Sequence, residues 1–169
     1  MALLILKGGI SMKTKVLSLL VDNTSGVLSR VSGMFSRRGY NIDSLTVGVT
    51  ENPKYSRMTV AVSGDDRILT QIKNQLMKLE DVAEVVELED GTSVCRELVL
   101  VKVKANQNER QAIIAITDVF RAKIVDVSPE TMMVEITGNN TKIDAFIELL
   151  NGFEIMELVR TGLTGLTRR

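Results

Sequence analysis

The sequence has no His, no Trp, a single Cys and two Pro, and only 4% of it is aromatic. Without His there is no Ser-His or Cys-His pair for nucleophilic catalysis, and the commonest transition-metal ligand is missing. Cys95 alone forms no internal disulfide and no thiolate cluster, which fits a reducing cytoplasm. An excess of charge is absent too. The 21 basic and 21 acidic side chains cancel, leaving no electrostatic footprint for a phosphate backbone, so no nucleic acid is expected. No apolar run reaches the about 20 residues that cross a bilayer, so no membrane is expected. No glycine-rich phosphate loop occurs, and no spaced carboxylates form an acid/base pair. What remains is a 169-residue chain, 44% hydrophobic and 25% charged. That is the composition of a soluble globular protein of one ordinary domain or two small ones.

The first residues need a separate reading. Residues 1–11 start with a short apolar run that lacks the basic leader and small-residue cleavage site of a signal peptide. They are expected to be an N-terminal extension, from an upstream start or an expression remnant. The other reading is an extra edge strand.

Two similar halves follow. Lys15 to Val21 is a nearly unbroken apolar run, suited to a buried central strand. Turn formers interrupt it at Asp22-Asn23-Thr24-Ser25-Gly26. Val27, Val31, Met34 and Phe35 then recur at helical spacing. Arg37, Arg38 and Gly39 supply cations and a left-handed residue to end that helix. Strands are predicted from Ile42 to Thr50, through Met58, Val60 and Val62, and from Val82 to Leu88. Between the last two, Leu69, Ile72, Leu76 and Leu79 stripe a second helix.

The second half repeats this order. Strands are predicted at Leu98–Val103, Ile124–Val127, Met132–Thr137 and Ile155–Val159. One helix carries Ile113, Ile116 and Phe120; another carries Ile143, Phe146, Ile147 and Leu150. Ser63-Gly64-Asp65-Asp66 matches Thr137-Gly138-Asn139-Asn140 at an offset of 74 residues. At that offset Val60 meets Val134, Val62 meets Ile136, Leu69 meets Ile143, Leu76 meets Leu150 and Val85 meets Val159. The fold class is therefore α+β: two ferredoxin-like βαββαβ domains, antiparallel sheets with helices on one face. The domains are expected at 12–89 and 95–169, joined by a polar linker at 90–94. Halves this small carry little stability to spare. Each leaves one sheet face bare and two edges unpaired, so pairing within the chain or across a dimer is expected.

Most clusters have a plain explanation. Glu80, Asp81, Glu84, Glu87, Glu89 and Asp90 read as a solvated face. Met34, Met58, Met77, Met132, Met133 and Met156 read mostly as core filling. Cys95 has only Arg96 nearby to depress its pKa and reads as structural.

The turn Asp22–Gly26 supports two readings. A helix start presents free N–H groups and the positive end of the dipole, a seat for a carboxylate. Gly26 lets a ligand approach the backbone, Asn23 both donates and accepts, and Val27 and Leu28 offer an apolar wall. The other reading is a simple N-cap turn closed by Thr24 or Ser25. The matching turn of the second half, Ala105-Asn106-Gln107-Asn108-Glu109, has no Gly and carries a carboxylate that repels anions.

Residues 22–31, Asp22 to Val31, resemble the start of the ACT domain of the acetolactate synthase small subunit family. More specific to that family are Phe35-Ser36-Arg37-Arg38-Gly39-Tyr40-Asn41-Ile42-Asp43-Ser44-Leu45-Thr46-Val47 and Ser56-Arg57-Met58-Thr59. Arg96 to Val103 and the tail Arg160 to Leu166 also match. The resemblance runs from Met12 to about Arg168, and residues 1–11 fall outside it.

The resemblance implies a regulatory subunit that is not itself an enzyme. Its partner would be the large catalytic subunit of a transferase that uses thiamine diphosphate, Mg and FAD in branched-chain amino acid biosynthesis. The small subunit raises that enzyme's activity and confers feedback inhibition, usually by valine as allosteric effector. The resemblance further implies a homodimer through the ACT domains, with effector sites at the interface. The matching positions are Asn23, Gly26, Val27 and Leu28 from one protomer and Asn41 and Ile42 from the other. The alternative is a free-standing ACT-type amino-acid sensor acting on another enzyme or a transcription factor.

Overall fold

The computed structural model describes residues 13–169. The extension expected at 1–11 lies outside the described residues. The chain forms two compact units. One runs up to Cys95 and takes back Leu163–Arg169; the other is Arg96–Gly162.

In the first unit the order is β1 (Lys13–Asp22), α1 (Val27–Arg37), β2 (Ser44–Val49), β3 (Tyr55–Gly64), α2 (Asp66–Leu76) and β4 (Val82–Glu87). The sheet order is β2-β3-β1-β4, with the neighbours antiparallel. The apolar run that predicted a central strand is central: Leu17, Leu19 and Val21 are buried against Met58, Val60 and Val62 and the two helices. Helix α1 buries its predicted stripe of Val27, Val31, Met34 and Phe35. It ends where Gly39 turns left-handed at φ 67°. That turn lets Tyr40 N–H reach the carbonyl of Phe35 at 3.0 Å and Gly39 N–H that of Ser36 at 3.2 Å. Helix α2 starts at Asp65, whose carboxylate accepts from Ile68 N–H at 2.7 Å.

The second unit repeats the plan with β5 (Ser93–Lys104, which begins in the first unit), α3 (Arg110–Val119), β6 (Lys123–Val127), β7 (Thr131–Gly138), α4 (Asn140–Leu150) and β8 (Ile155–Arg160). Its sheet order is β6-β7-β5-β8. The core centres on Val99, Val101, Val103, Ile113, Val134, Ile136, Ile143, Phe146 and Leu150. Phe120 meets Phe146 edge-on at 5.5 Å. The repeat extends to capping: Asn139, the counterpart of Asp65, accepts from Lys142 N–H at 3.0 Å.

The repeat breaks at one aligned pair. Val85 lies opposite Leu19 and packs on the core, whereas Val159 lies opposite Leu100 and is 59% exposed. Ile155, opposite Val103 and packed on the second core, takes the place of Val85. The connection from α4 into β8 is shorter than that from α2 into β4, so the sequence offset no longer holds there.

Three further expectations need correction. Met34, Met58 and Met132 are buried, but Met77 and Met156 are more than half exposed and fill no core. Both sit near helix or strand ends, where neither layer covers them. The acidic cluster is only partly a solvated face, since Asp81 pairs with Arg30 and Glu87 with Lys15. The far side of the first sheet is not bare along its middle: Ser18, Thr59 and Ala61, opposite the helices, are buried.

A ninth strand, β9 (Thr164–Thr167), pairs with β5 and belongs to the first unit. Arg168 N–H donates to the carbonyl of Thr92 at 2.8 Å. At Gly165 a Cβ would stand 2.6 Å from Cys95 Sγ, 2.7 Å from Leu88 Cδ1 and 3.0 Å from the carbonyl of Val94. Leu88 and Leu163 are buried. In the second unit, Glu97 is 5% exposed and its carboxylate accepts from Arg160 Nη2 at 2.7 Å, Arg160 Nε at 3.1 Å and Gly162 N–H at 3.1 Å. No helix of the described residues is long and apolar enough to cross a membrane.

Candidate functional site

The turn between β1 and α1 is held from outside the helix. Asn23 N–H donates to the carbonyl of Lys54 at 2.8 Å, and Asn23 Nδ2 donates to that of Pro53 at 3.0 Å. Ser56 Oγ donates to Asn23 Oδ1 at 3.1 Å. Asn23 thus fastens the turn to the end of the β2–β3 hairpin and keeps one lone pair of Oδ1 for another donor. Gly26 closes the turn at φ 86°, ψ −11°, a left-handed conformation that costs other residues roughly 1–2 kcal/mol.

Among the described residues no side chain caps α1. The first intrahelical bond runs from Arg30 N–H to the carbonyl of Gly26 at 2.9 Å. The N–H groups of Val27, Leu28 and Ser29 therefore have no partner within the helix, and they add the positive end of its dipole. The cap expected from Thr24 or Ser25 does not form. Asn23, Gly26 and Leu28 are exposed around this opening. Val27 is not: the residue is 2% exposed and its side chain lies in the core, the first of the buried stripe. The apolar wall expected from Val27 and Leu28 reduces to Leu28, and Val27 offers only its N–H.

Two further residues join the turn: Arg30, and Asp81, which the sequence places only in an acidic, solvated face. Arg30 Nε and Nη2 donate to the two carboxylate oxygens of Asp81 at 2.5 and 2.7 Å. The hydrogen bond raises the pKa of Arg30 and lowers that of Asp81. The carbonyl of Asp81 accepts from Asp22 N–H at 2.9 Å. The remaining nitrogen, Arg30 Nη1, stands 2.9 Å from where a Cβ on Gly26 would be. Arg30 follows Gly26 by one helical turn, a spacing legible in the sequence; the role of Asp81 needs the three-dimensional register.

Asn41 and Ile42 lie elsewhere in the same unit. They precede β2, beyond the far end of α1, whose 11 residues span about 16 Å. Asn41 is exposed and donates to Asp43 Oδ1 at 2.9 Å; Ile42 packs partly on the core. A single chain does not bring these two together with Asn23 and Gly26.

The matching turn of the second unit is closed by its own side chains. Asn106 Oδ1 accepts from the N–H groups of Asn108 at 2.9 Å and Glu109 at 3.1 Å, and Glu109 Oε2 accepts from Asn106 N–H at 3.1 Å. Arg110 turns away to the carbonyls of Ser128 and Pro129. One turn is open and cationic; its counterpart is filled and carries a carboxylate. Among the described residues no group of three or more His, Cys, Asp or Glu is placed to hold a metal ion.

Two βαββαβ units, the first with an open strand–helix turn, make this an ACT-type chain. A family model described as "AHAS small subunit-like ACT domain" matches residues 17–84, and one described as "Small subunit of acetolactate synthase" matches residues 96–169. A probable acetolactate synthase small subunit of Methanothermobacter thermautotrophicus is 53% identical over 156 residues, covering 92% of this chain and 93% of that one. The acetolactate synthase isozyme 3 small subunit of Escherichia coli is 46% identical over 155 residues, covering 91% and 95%. The crystal structure of the acetolactate synthase small subunit from Thermotoga maritima superimposes with a TM-score of 0.85 at 40% identity, covering 93% of this chain and 98% of that one. The chain belongs to the acetolactate synthase small subunit family.

Proposed function

We propose that this chain partners a large catalytic subunit of acetolactate synthase, raises its activity, and confers feedback inhibition by valine or another branched-chain amino acid. Thiamine diphosphate, Mg and FAD belong to that catalytic partner. The amino acid sits at the Gly26 turn. The N–H groups of Val27, Leu28 and Ser29 take its carboxylate, Asn23 Oδ1 accepts from its ammonium, and Leu28 bounds its side chain. The observation that carries this reading is the contrast between the open α1 start and the closed start of α3.

The reading includes a second copy. β2 is an edge strand, with Val47 43% and Val49 73% exposed. Its end at Val49 lies opposite Ser56, which bonds Asn23; its beginning at Ser44 follows Asn41 and Ile42. In a twofold pairing of two β2 edges the strands run antiparallel. The beginning of one then lies beside the end of the other. Asn41 and Ile42 of the second copy thereby reach the Asn23–Gly26 opening of the first, across the distance a single chain leaves open. Inhibition requires the amino acid to favour one arrangement of this interface over another, with a coupling of roughly 1–3 kcal/mol.

Calorimetric titration of the full chain with valine, isoleucine and leucine, with phenylalanine as control, tests the site. Selective binding at one site per protomer or per interface is expected, together with valine-sensitive acetolactate formation on addition of a catalytic subunit. No selective binding, with or without the catalytic subunit, refutes the reading.

A further inference from the structure

We propose that Arg30 is the cationic partner of the effector's carboxylate at the Gly26 turn, and that Asp81 is the residue that positions it. This rests on the amino-acid site proposed above and assigns its specificity for an acid over a neutral analogue. Backbone N–H groups at a helix start attract any hydrogen-bond acceptor, a neutral carbonyl included. The helix dipole adds only a modest preference for a full negative charge. A guanidinium adds a stronger one, through charge-assisted and often bidentate bonds.

The geometry of Arg30 fits that task. Its Nε and Nη2 edge is occupied by both carboxylate oxygens of Asp81. Its Nη1 is directed over Gly26, 2.9 Å from the place of an absent Cβ. Gly26 therefore serves two ends: it permits φ 86°, and its missing Cβ leaves the room in which Nη1 sits. A carboxylate held by the N–H groups of Val27 and Leu28 would then take a further bond from Nη1, with Nε and Nη2 left on Asp81. Lys at this position would offer one compact charge and could not serve both carboxylates in a fixed plane. The neighbouring side chains at 23, 24, 25, 28 and 29 are neutral. Asp22 and Asp81 are the flanking carboxylates, the second already paired. The second unit shows the opposite arrangement: Arg110, just after its turn, is spent on backbone carbonyls, and Glu109 faces the turn.

The experiment uses the full chain, with the catalytic subunit present where wild-type binding needs it. Valine and valinamide, which replaces the carboxylate by a neutral amide, are titrated calorimetrically into wild type, Arg30→Gln, Arg30→Lys and Asp81→Asn. Tyrosine fluorescence checks that each variant is folded. Wild type is expected to prefer valine. Arg30→Gln is expected to cut that preference about tenfold while holding valinamide affinity within about twofold. Arg30→Lys should recover part of the preference, and Asp81→Asn should fall between Gln and wild type. An unchanged preference in Arg30→Gln overturns the proposal. So does equal loss of both ligands, which marks Arg30 as merely structural. Wild type that binds neither ligand overturns the underlying site, and this assignment with it.

Discussion

Replacing Gly26 by Ala makes two separable demands on the first unit. The backbone at φ 86° is left-handed, which costs an Ala roughly 1–2 kcal/mol. The new methyl also stands 2.9 Å from Arg30 Nη1, so the guanidinium must shift and loosen its hold on Asp81. That pair is partly exposed, so releasing it adds only a small cost to the backbone strain. Gly39 provides the control. It is left-handed too, at φ 67°, but among the described residues a Cβ there meets nothing within 4 Å. Gly39→Ala therefore carries the backbone cost alone. The chain has no Trp, and its two Tyr, Tyr40 and Tyr55, both lie in the first unit. Tyrosine fluorescence during urea unfolding thus reports on that unit. Gly26→Ala is expected to lower the midpoint more than Gly39→Ala, and Arg30→Ala should erase the difference. For a unit of this size each 1 kcal/mol lowers Tm by about 4–8 °C. Equal midpoints for wild type and Gly26→Ala would refute the left-handed helix start, and equal costs at the two glycines would refute the placement of Arg30.

Three further outcomes follow from contacts described above. Glu97→Gln puts an amide N–H₂ toward the guanidinium of Arg160 in a buried place; the second unit should lose about 2–4 kcal/mol in denaturant unfolding followed by circular dichroism. Removing the N-caps, by Asp65→Ala or Asn139→Ala, should each cost about 1 kcal/mol, with tyrosine fluorescence detecting the first. Pairing with Arg30 and Lys13 holds the carboxyls of Asp81 and Asp66 below the usual aspartate range. A depressed carboxyl stabilises the fold above its unfolded pKa, and this contribution fades as pH falls through the folded value. Acid unfolding should therefore begin at higher pH in Arg30→Gln than in wild type, with the gap narrowing in high salt.

The sequence carried the fold well because its signals were local. The stripe Val27, Val31, Met34 and Phe35 and the breaker Gly39 mark α1, and the matched caps Asp65 and Asn139 mark the repeat. What it hid depended on distant parts of the chain. β9 is four residues long with one buried position, Gly165, so it has no periodicity to read. Val85 and Val159 are alike as residues but occupy different places, because a shorter connection changes the register. Of the candidate site, the turn Asn23–Gly26 was visible through its residue types. The burial of Val27 followed from a helical stripe already in view. The Asp81 carboxylate that holds Arg30 was not visible, since it stands 51 residues away in the chain.

The return of the chain's last residues to the first unit imposes an order in time. A ribosome releases residues 13–95 well before Leu163–Arg169, so the first unit emerges without its own closing strand. The second unit, Arg96–Gly162, emerges whole in between. It is thus an insertion in the first, and the N-terminal unit is the last to be completed. Cutting the chain at residue 90 does not isolate the first unit but removes part of it. Excising 96–162 and joining Cys95 to Leu163 through a short flexible loop is the truncation that keeps β9 in place. Tyrosine-monitored unfolding should find that excised form more stable than residues 13–90 alone.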